Sequence, residues 1–165
     1  MKKATCLFLG ILSLPVFLLF SAPESLAEQL AGVHPVIFSR ISSNFGMRNH
    51  PIFKVLRSHA GVDLAAPMSA HVRVILKGKV IYAGENGGYG KLISVMHSDG
   101  LVTMYGHLDE ILVNLGETVD GGHVIGRVGE TGNVTGPHLH FEVRKKGIAL
   151  NPLEFLPGLT AKPVG

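Results

Sequence analysis

The sequence predicts an all-β fold, with an antiparallel sheet arranged as a sandwich or a partly open barrel. Short runs rich in valine and isoleucine alternate with polar residues, which is the period of a half-buried strand. Glycine makes up 21 of the 165 residues and favours tight turns between such strands. No segment of the proposed domain has a convincing helical period, so helices are not expected to form a layer of the fold.

The N-terminus carries the pattern of a targeting segment. Lys2 and Lys3 form a basic region, and the apolar run over 7–20 is short for a membrane span. Residues 25–27 match a small-x-small cleavage signal, so we predict a signal peptide over 1–27; an uncleaved anchor is the alternative. We therefore expect an exported protein of the periplasm or cell envelope that meets the membrane only during export.

The remainder of the chain is divided into a lead-in over 28–40, one domain over 41–157 and a frayed tail over 158–165. The single cysteine lies in the predicted signal peptide, so the mature chain would contain no disulfide. A net charge of only +3, without a basic stripe of interleaved aromatic residues, argues against nucleic acid as a partner. The composition carries no prediction of oligomeric state.

Turn residues and apolar runs order the elements of the domain. An Asp-Gly pair at 99–100 marks the turn of a hairpin. The predicted elements are a bend near 44–46, a polar connection over 52–58, a strand over 59–64, strands over 72–76 and 79–84, a loop over 85–90, a hairpin of 92–97 and 101–105, strands over 115–119 and 122–129, a strand over 138–143, and a turn with a short cap over 151–156.

The strand over 138–143 carries two histidines one residue apart. Strand alternation places His138, His140 and Glu142 on one face, which we expect to be wet, and three apolar residues on the reverse face. A helix would put the two histidines on nearly opposite sides. Imidazoles roughly 7 Å apart suit one metal ligand and one group beside the bound water or substrate. The alternative is a pair of surface histidines on a sheet.

A second set of possible ligands lies upstream. In the predicted strand over 59–64, His59, Gly61 and Asp63 share one face. Histidine and aspartate are both zinc ligands, and sets with an open position are typical of catalytic zinc. Gly61 leaves space for another group to approach. The alternative is a strand with a polar outer face, but the two histidine strands together supply three ligands and one further histidine.

His107 follows the second hairpin strand, where alternation predicts that it shares a face with Leu101, Thr103 and Tyr105. Taken alone, it would be a surface histidine. The histidines without a predicted chemical role are His71, His97 and His123 at the surface, His34 in the lead-in, and His50 in a loop packed near the site.

These segments, in this order, resemble the LytM/lysostaphin-type zinc metallopeptidases, peptidase family M23. The resemblance extends from about Ile41 to Leu156. The matching segments are Ile41-Ser42-Ser43 with Phe45-Gly46 and Arg48, His59 to Asp63, Gly88-Tyr89-Gly90, Tyr105-Gly106-His107-Leu108, and Thr131-Gly132 with 135–142.

The resemblance implies that His59, Asp63 and His140 bind one zinc ion in a groove. It also implies that His107 and His138 are the catalytic histidines that do not bind the metal. The implied fold is an antiparallel β domain related to the duplicated hybrid motif. The chain departs from the family pattern over 68–72 and at His123, which affects the predicted shape of two loops and none of these five positions.

The resemblance further implies an endopeptidase that cuts peptide cross-links of bacterial cell-wall peptidoglycan. D-alanyl–diaminopimelate bridges are expected over glycine-rich ones, because the protein is small and exported and has no wall-binding module. The first alternative is a catalytically silent module that regulates cell-wall amidases, although such a module would have lost a ligand. The second is a phosphocarrier, against which the signal peptide argues.

Overall fold

The structure is a computed structural model that describes residues 33–49, 55–156 and 158. The predicted signal peptide, residues 28–32 of the lead-in, His50 and nearly all of the predicted tail lie outside these residues, so the division into segments stays a prediction. No helix among the described residues is long and apolar enough to span a membrane.

The described residues form twelve strands and two short 3₁₀ helices. The strands are β1 (Arg40–Ser43), β2 (Gly46–Asn49), β3 (Leu56–His59), β4 (Val62–Ala65), β5 (His71–Arg73), β6 (Gly78–Glu85), β7 (Lys91–His97), β8 (Leu101–Ile111), β9 (Thr118–Val119), β10 (Val124–Val128), β11 (His138–Lys145) and β12 (Ile148–Leu150). The 3₁₀ helices cover Gly87–Tyr89 and Pro152–Phe155. The twelve strands pair in antiparallel fashion, which confirms the all-β prediction.

Most of these strands belong to one large sheet. Its main path runs β1-β4-β11-β8-β7-β6-β9, while β10 pairs with β5 and β8, and β12 pairs with β11. The end strands β1 and β9 do not pair with each other, so this sheet of the described residues is open. Strands β2 and β3 form a separate hairpin. The predicted hairpin is confirmed as β7 and β8, and β9 and β10 lie within the two predicted glycine-rich strands.

Strand β11 lies between β4 and β8, in the middle of the core-forming strands. Its side chains Leu139, Phe141 and Val143 are fully buried, as the alternation predicts. The expectation of a wet opposite face is wrong, because His140 is buried and Glu142 has no exposed surface. Hydrogen-bonding partners from neighbouring segments cover this face, and a buried polar side chain needs such partners.

The predicted strand over 59–64 is two strands. His59 ends β3, Asp63 lies in β4, and the chain changes sheets at Ala60 and Gly61. A Cβ atom at Gly61 would collide with the carbonyl oxygen of Phe141 and lie 2.8 Å from Cγ of Glu142. Glycine is therefore required here for the close approach of the link to β11.

Strand β8 is longer than predicted and contains a bulge. Between the pairs Lys91 with Leu108 and Ile93 with Tyr105, β8 has one residue more than β7. His107 lies in this bulge with a φ of 60°, a left-handed conformation that is uncommon for a side-chain-bearing residue. The bulge separates Tyr105, which is buried in the core, from His107, which lines a groove. The prediction that they share a face is wrong.

The remaining histidines differ in burial. His71 and His123 are exposed, as predicted. His97 is buried, so its surface assignment is wrong. Its Nδ1 lies 2.9 Å from the carbonyl oxygen of Lys77 and its Nε2 lies 2.8 Å from Oγ1 of Thr103. These two partners satisfy the ring nitrogens, so His97 is a structural core residue.

Candidate metal centre

Three side chains converge at one point on the polar face of β11. Asp63 and His140 are directly opposite each other in the pairing of β4 with β11, and His59 reaches them from the end of β3. Nδ1 of His140 lies 2.8 Å from Oδ1 of Asp63 and 3.1 Å from Nε2 of His59. Nε2 of His59 lies 3.1 Å from the same carboxylate oxygen. One nitrogen or oxygen atom from each residue therefore lies within 4.8 Å of the other two.

The outer ring nitrogens determine where the protons lie. Nδ1 of His59 is 2.7 Å from the carbonyl oxygen of Asn44, and Nε2 of His140 is 2.9 Å from Oε1 of Glu142. Both oxygens accept hydrogen bonds, so these nitrogens carry the protons and donate them. When both rings are neutral, Nε2 of His59 and Nδ1 of His140 carry lone pairs at the convergence point, which is the arrangement of metal-ligating histidines with outer partners.

Glu142 anchors His140 from behind. It also accepts a hydrogen bond of 2.8 Å from the hydroxyl of Tyr89 and one of 2.6 Å from Nε of Arg144. Burial raises the pKa of Glu142, but the hydrogen bonds from His140 and Arg144 outweigh it and lower this pKa to about 2. Burial and the adjacent Glu142 raise the pKa of Tyr89 to about 12. Glu142 is therefore ionised and Tyr89 remains a donor.

The electrostatics of the cluster favour positive charge. Burial raises the pKa of Asp63, but hydrogen bonds from His140 and His59 outweigh it and hold this pKa well below its usual range. Burial lowers the pKa of His140, yet the carboxylates of Asp63 and Glu142 raise it to about 9. A buried set of two imidazoles and one carboxylate, stabilised by a cation, fits a divalent metal, and zinc accepts these three donors.

His107 and His138 lie beside this cluster. Their ring centroids are 4.8 Å apart, and the ring of His107 is 5.6 Å from that of His140. Nδ1 of His107 donates to the carbonyl oxygen of Thr131 at 2.9 Å, and Nδ1 of His138 donates to that of Gly136 at 2.8 Å. Both rings therefore have an unprotonated Nε2 when neutral. Burial and the neighbouring His138 and His140 lower the pKa of His107 to about 4.

His107 is held in place by contacts between the loop after β10 and the start of β7. Oγ1 of Thr131 donates to the carbonyl oxygen of Leu108 at 2.7 Å and accepts from the backbone N–H of Lys91 at 2.9 Å. Gly90, with a φ of 61°, leaves no space for a Cβ against Thr131. The loop after β10 therefore fixes the carbonyl group that orients the imidazole.

The cluster lies in an open groove of about 420 Å³. Its lining includes the four histidines and the aspartate of the predicted site. The other lining residues are Arg48, Ser58, Ala60, Asn86, Gly88, Tyr89, Asn133, Val134, Thr135 and Glu142. The structure thus brings together all the predicted site residues, namely His59, Asp63, His107, His138 and His140. His34, His71, His97 and His123 do not line it.

The sequence patterns indicate no role for Glu142, Tyr89 or Arg48. Strand alternation places Glu142 and Arg144 on the same face of β11 as the paired histidines. An ion pair between these two residues is therefore the sequence signal that could have indicated a role for Glu142. Tyr89 reaches Glu142 across 53 residues of chain, and no local pattern indicates that contact.

The fold and the groove define a class of protein, an antiparallel β domain with a buried cluster of histidine and aspartate that could hold a metal ion. The chain belongs to peptidase family M23, whose sequence model matches residues 57–152. The family resemblance of the sequence is thereby confirmed.

The chain is 45% identical over 121 residues to the DD-carboxypeptidase/endopeptidase Mpg of Neisseria meningitidis serogroup B. The aligned region covers 73% of this chain and 28% of Mpg. A zinc-containing peptidase of Vibrio cholerae has a similar structure, with a TM-score of 0.67, 37% identity, and coverage of 72% of this chain and 37% of that one. The catalytic domain of the antimicrobial peptidase lysostaphin from Staphylococcus simulans gives a TM-score of 0.65 with 31% identity, over 70% of this chain and 90% of that domain. This chain thus spans less than a third of Mpg.

Proposed function

We propose that this protein is a zinc-dependent endopeptidase that hydrolyses peptide cross-links of bacterial cell-wall peptidoglycan. The observation that carries the proposal is the convergence of His59, Asp63 and His140 in an open groove, with His107 and His138 beside them. The family supports peptidase chemistry, and Mpg is named as a carboxypeptidase and endopeptidase. The presence of all five residues favours an enzyme over a silent regulatory module.

One zinc ion would be held by Nε2 of His59, Oδ1 of Asp63 and Nδ1 of His140. Bound zinc with three protein ligands lowers the pKa of a water ligand and polarises a carbonyl group. The outer hydrogen bonds from His59 to Asn44 and from His140 to Glu142 keep both rings in the orientation and tautomer that ligation requires.

His107 and His138 would divide the proton transfers and the stabilisation of negative charge. One ring accepts the proton of the attacking water on Nε2 and then passes it to the leaving amine. The other ring, in its doubly protonated form, donates a hydrogen bond from Nε2 to the oxygen that develops negative charge. Their Nδ1–H groups are held by backbone carbonyl oxygens, so both Nε2 atoms stay aimed without reorganisation.

The bond we propose is D-alanyl–diaminopimelate, in keeping with the DD activity in the name of Mpg. The test uses the chain from Glu28, loaded with zinc, on purified cross-linked muropeptides of the diaminopimelate type and of the glycine-bridged type. New amino groups on diaminopimelate, identified by mass spectrometry, are expected. Protein that binds one zinc ion and releases no new amino group from either substrate would overturn the proposal, and Asp63→Ala is the inactive control.

A further inference from the structure

Arg48 places a cation at the edge of the groove. It lies on β2, and its Nη2 is 3.6 Å from Oδ2 of Asp63. About a quarter of its side chain is exposed, at 26%, so the guanidinium group is accessible from the groove while partly desolvated. Of the described residues that line the groove, Arg48 is the only arginine or lysine.

One donor of this guanidinium group is buried without a partner. Its Nε is buried and has no hydrogen-bond partner. The contact with Oδ2 of Asp63 is an ion pair that is longer than a hydrogen bond, while the other oxygen of that carboxylate, Oδ1, is engaged by His59 and His140. A buried donor without a partner requires an explanation, and a planar fork of N–H groups matches a carboxylate in particular.

The other charged side chains of the groove are already neutralised within the protein. Glu142 is hydrogen-bonded by His140, Tyr89 and Arg144, and Arg144 is engaged by that carboxylate. Arg48 is therefore the group that remains for an anion of the substrate, and it lies within one side-chain length of the metal centre.

The proposed substrate carries an anion at a matching place. In a D-alanyl–diaminopimelate bond, the amide nitrogen is attached to a carbon that also bears a free carboxylate. A bond inside a glycine bridge has a further amide at that position. We propose that Arg48 binds this carboxylate on the amine side of the scissile bond and so selects it, an inference that rests on the proposed function.

The experiment compares two synthetic cross-linked peptides that differ only at this carboxyl group, which is free in one and amidated in the other. For the wild-type protein, kcat/KM should favour the free carboxylate about tenfold to a hundredfold, the usual range for a charge-assisted hydrogen bond. Arg48→Gln should cleave the two peptides equally, with the loss confined to the free carboxylate substrate. Arg48→Lys should retain part of the preference, because it keeps the charge and loses the fork.

Arg40→Gln is the matched control, because Arg40 lines an adjoining depression that shares Thr135 and His138 with the groove. It should retain the wild-type preference. Zinc content and circular dichroism are measured for every variant. If Arg48→Gln kept the full preference for the free carboxylate, or if Arg40→Gln lost it instead, the inference would be overturned. The proposed function would be left intact.

Equal loss of activity on both peptides together with loss of zinc would assign Arg48 to the support of Asp63 and would also overturn the inference. If Arg48→Gln does not fold, the preference retained by Arg48→Lys decides, since full wild-type discrimination by lysine would rule out recognition by the fork. A wild-type protein that binds zinc and cleaves neither peptide would overturn the proposed function and, with it, this inference.

Discussion

Two histidines on neighbouring strands face the same groove, but they reach it by different routes. His140 follows the regular alternation of β11, directly opposite Asp63 on β4. His107 lies in a bulge of β8, where the strand leaves β11 after Gly106 and pairs with β10 from Leu108. Regular pairing thus builds the candidate metal centre, whereas an irregularity brings in the neighbouring imidazole. Bulges commonly re-aim a side chain in this way beside active sites.

The largest effect is expected from His140→Ala, on the regular strand. It removes a ligand atom and leaves Asp63 and Glu142 without their shared partner, so both zinc binding and peptidoglycan cleavage should be lost. Zinc content by atomic spectroscopy and turnover on cross-linked muropeptides measure the two losses. Retention of one zinc ion by this variant would show that His140 is not a ligand.

His107→Ala, in the bulge, should separate catalysis from zinc binding. Zinc should stay near one equivalent while kcat falls on the order of a hundredfold or more, as expected for a positioned acid–base or oxyanion group. His138→Ala should behave in the same way. His123→Ala is the control, because this exposed histidine does not line the groove. Zinc loss in His138→Ala with zinc retained in His140→Ala would exchange their roles.

Glu142→Gln tests how far Glu142 supports His140, the candidate ligand on the regular strand β11. The substitution keeps an oxygen that can accept from His140 but removes the buried charge, so zinc affinity should fall about tenfold to a hundredfold. Competition with a chelator gives the affinity, and kcat at saturating zinc should change much less. An unchanged zinc affinity would contradict the idea that Glu142 raises the basicity of its histidine.

Thr131→Val tests the hydrogen bonds that hold the bulge around His107 in place. Of the substitutions considered, it should change catalysis least. It removes the hydrogen bonds to Leu108 and Lys91 but keeps the size of the side chain and the carbonyl group that accepts from His107. We expect kcat to fall a few fold with unchanged zinc affinity, since the carbonyl group is less firmly placed, in line with about 1 kcal/mol per hydrogen bond. Thr131→Ser should restore the wild-type kcat, because it keeps the hydroxyl group. A change in zinc affinity would mean that the bulge of β8 and the metal cluster on β11 are coupled.

The regular part of this comparison could be predicted from the sequence. Period-two alternation placed His138, His140 and Glu142 in phase and their apolar neighbours in the core. The strand pattern indicates His59 and Asp63 as further candidate metal ligands, although one strand ends and another begins between them. Which histidine of β11 completes the candidate set is implied only by the family resemblance.

The irregular part could not be predicted, for physical reasons. A bulge depends on which strands flank β8, and that pairing joins residues far apart in sequence. The full burial of Glu142 depends on Tyr89 and Arg144, and the burial of His97 depends on Lys77 and Thr103. Each of these contacts is set by tertiary packing, which alternation within one strand does not encode.

The bulge of β8 also has a consequence for the order of side chains along this strand. If His107 were deleted, Tyr105 and Leu108 would be separated by Gly106 alone, and both would still point into the core as ordinary neighbours on one face. The sheet would close over the gap as an unbroken ladder against β7. His107 is thus a residue that the architecture does not require, inserted between two that it does.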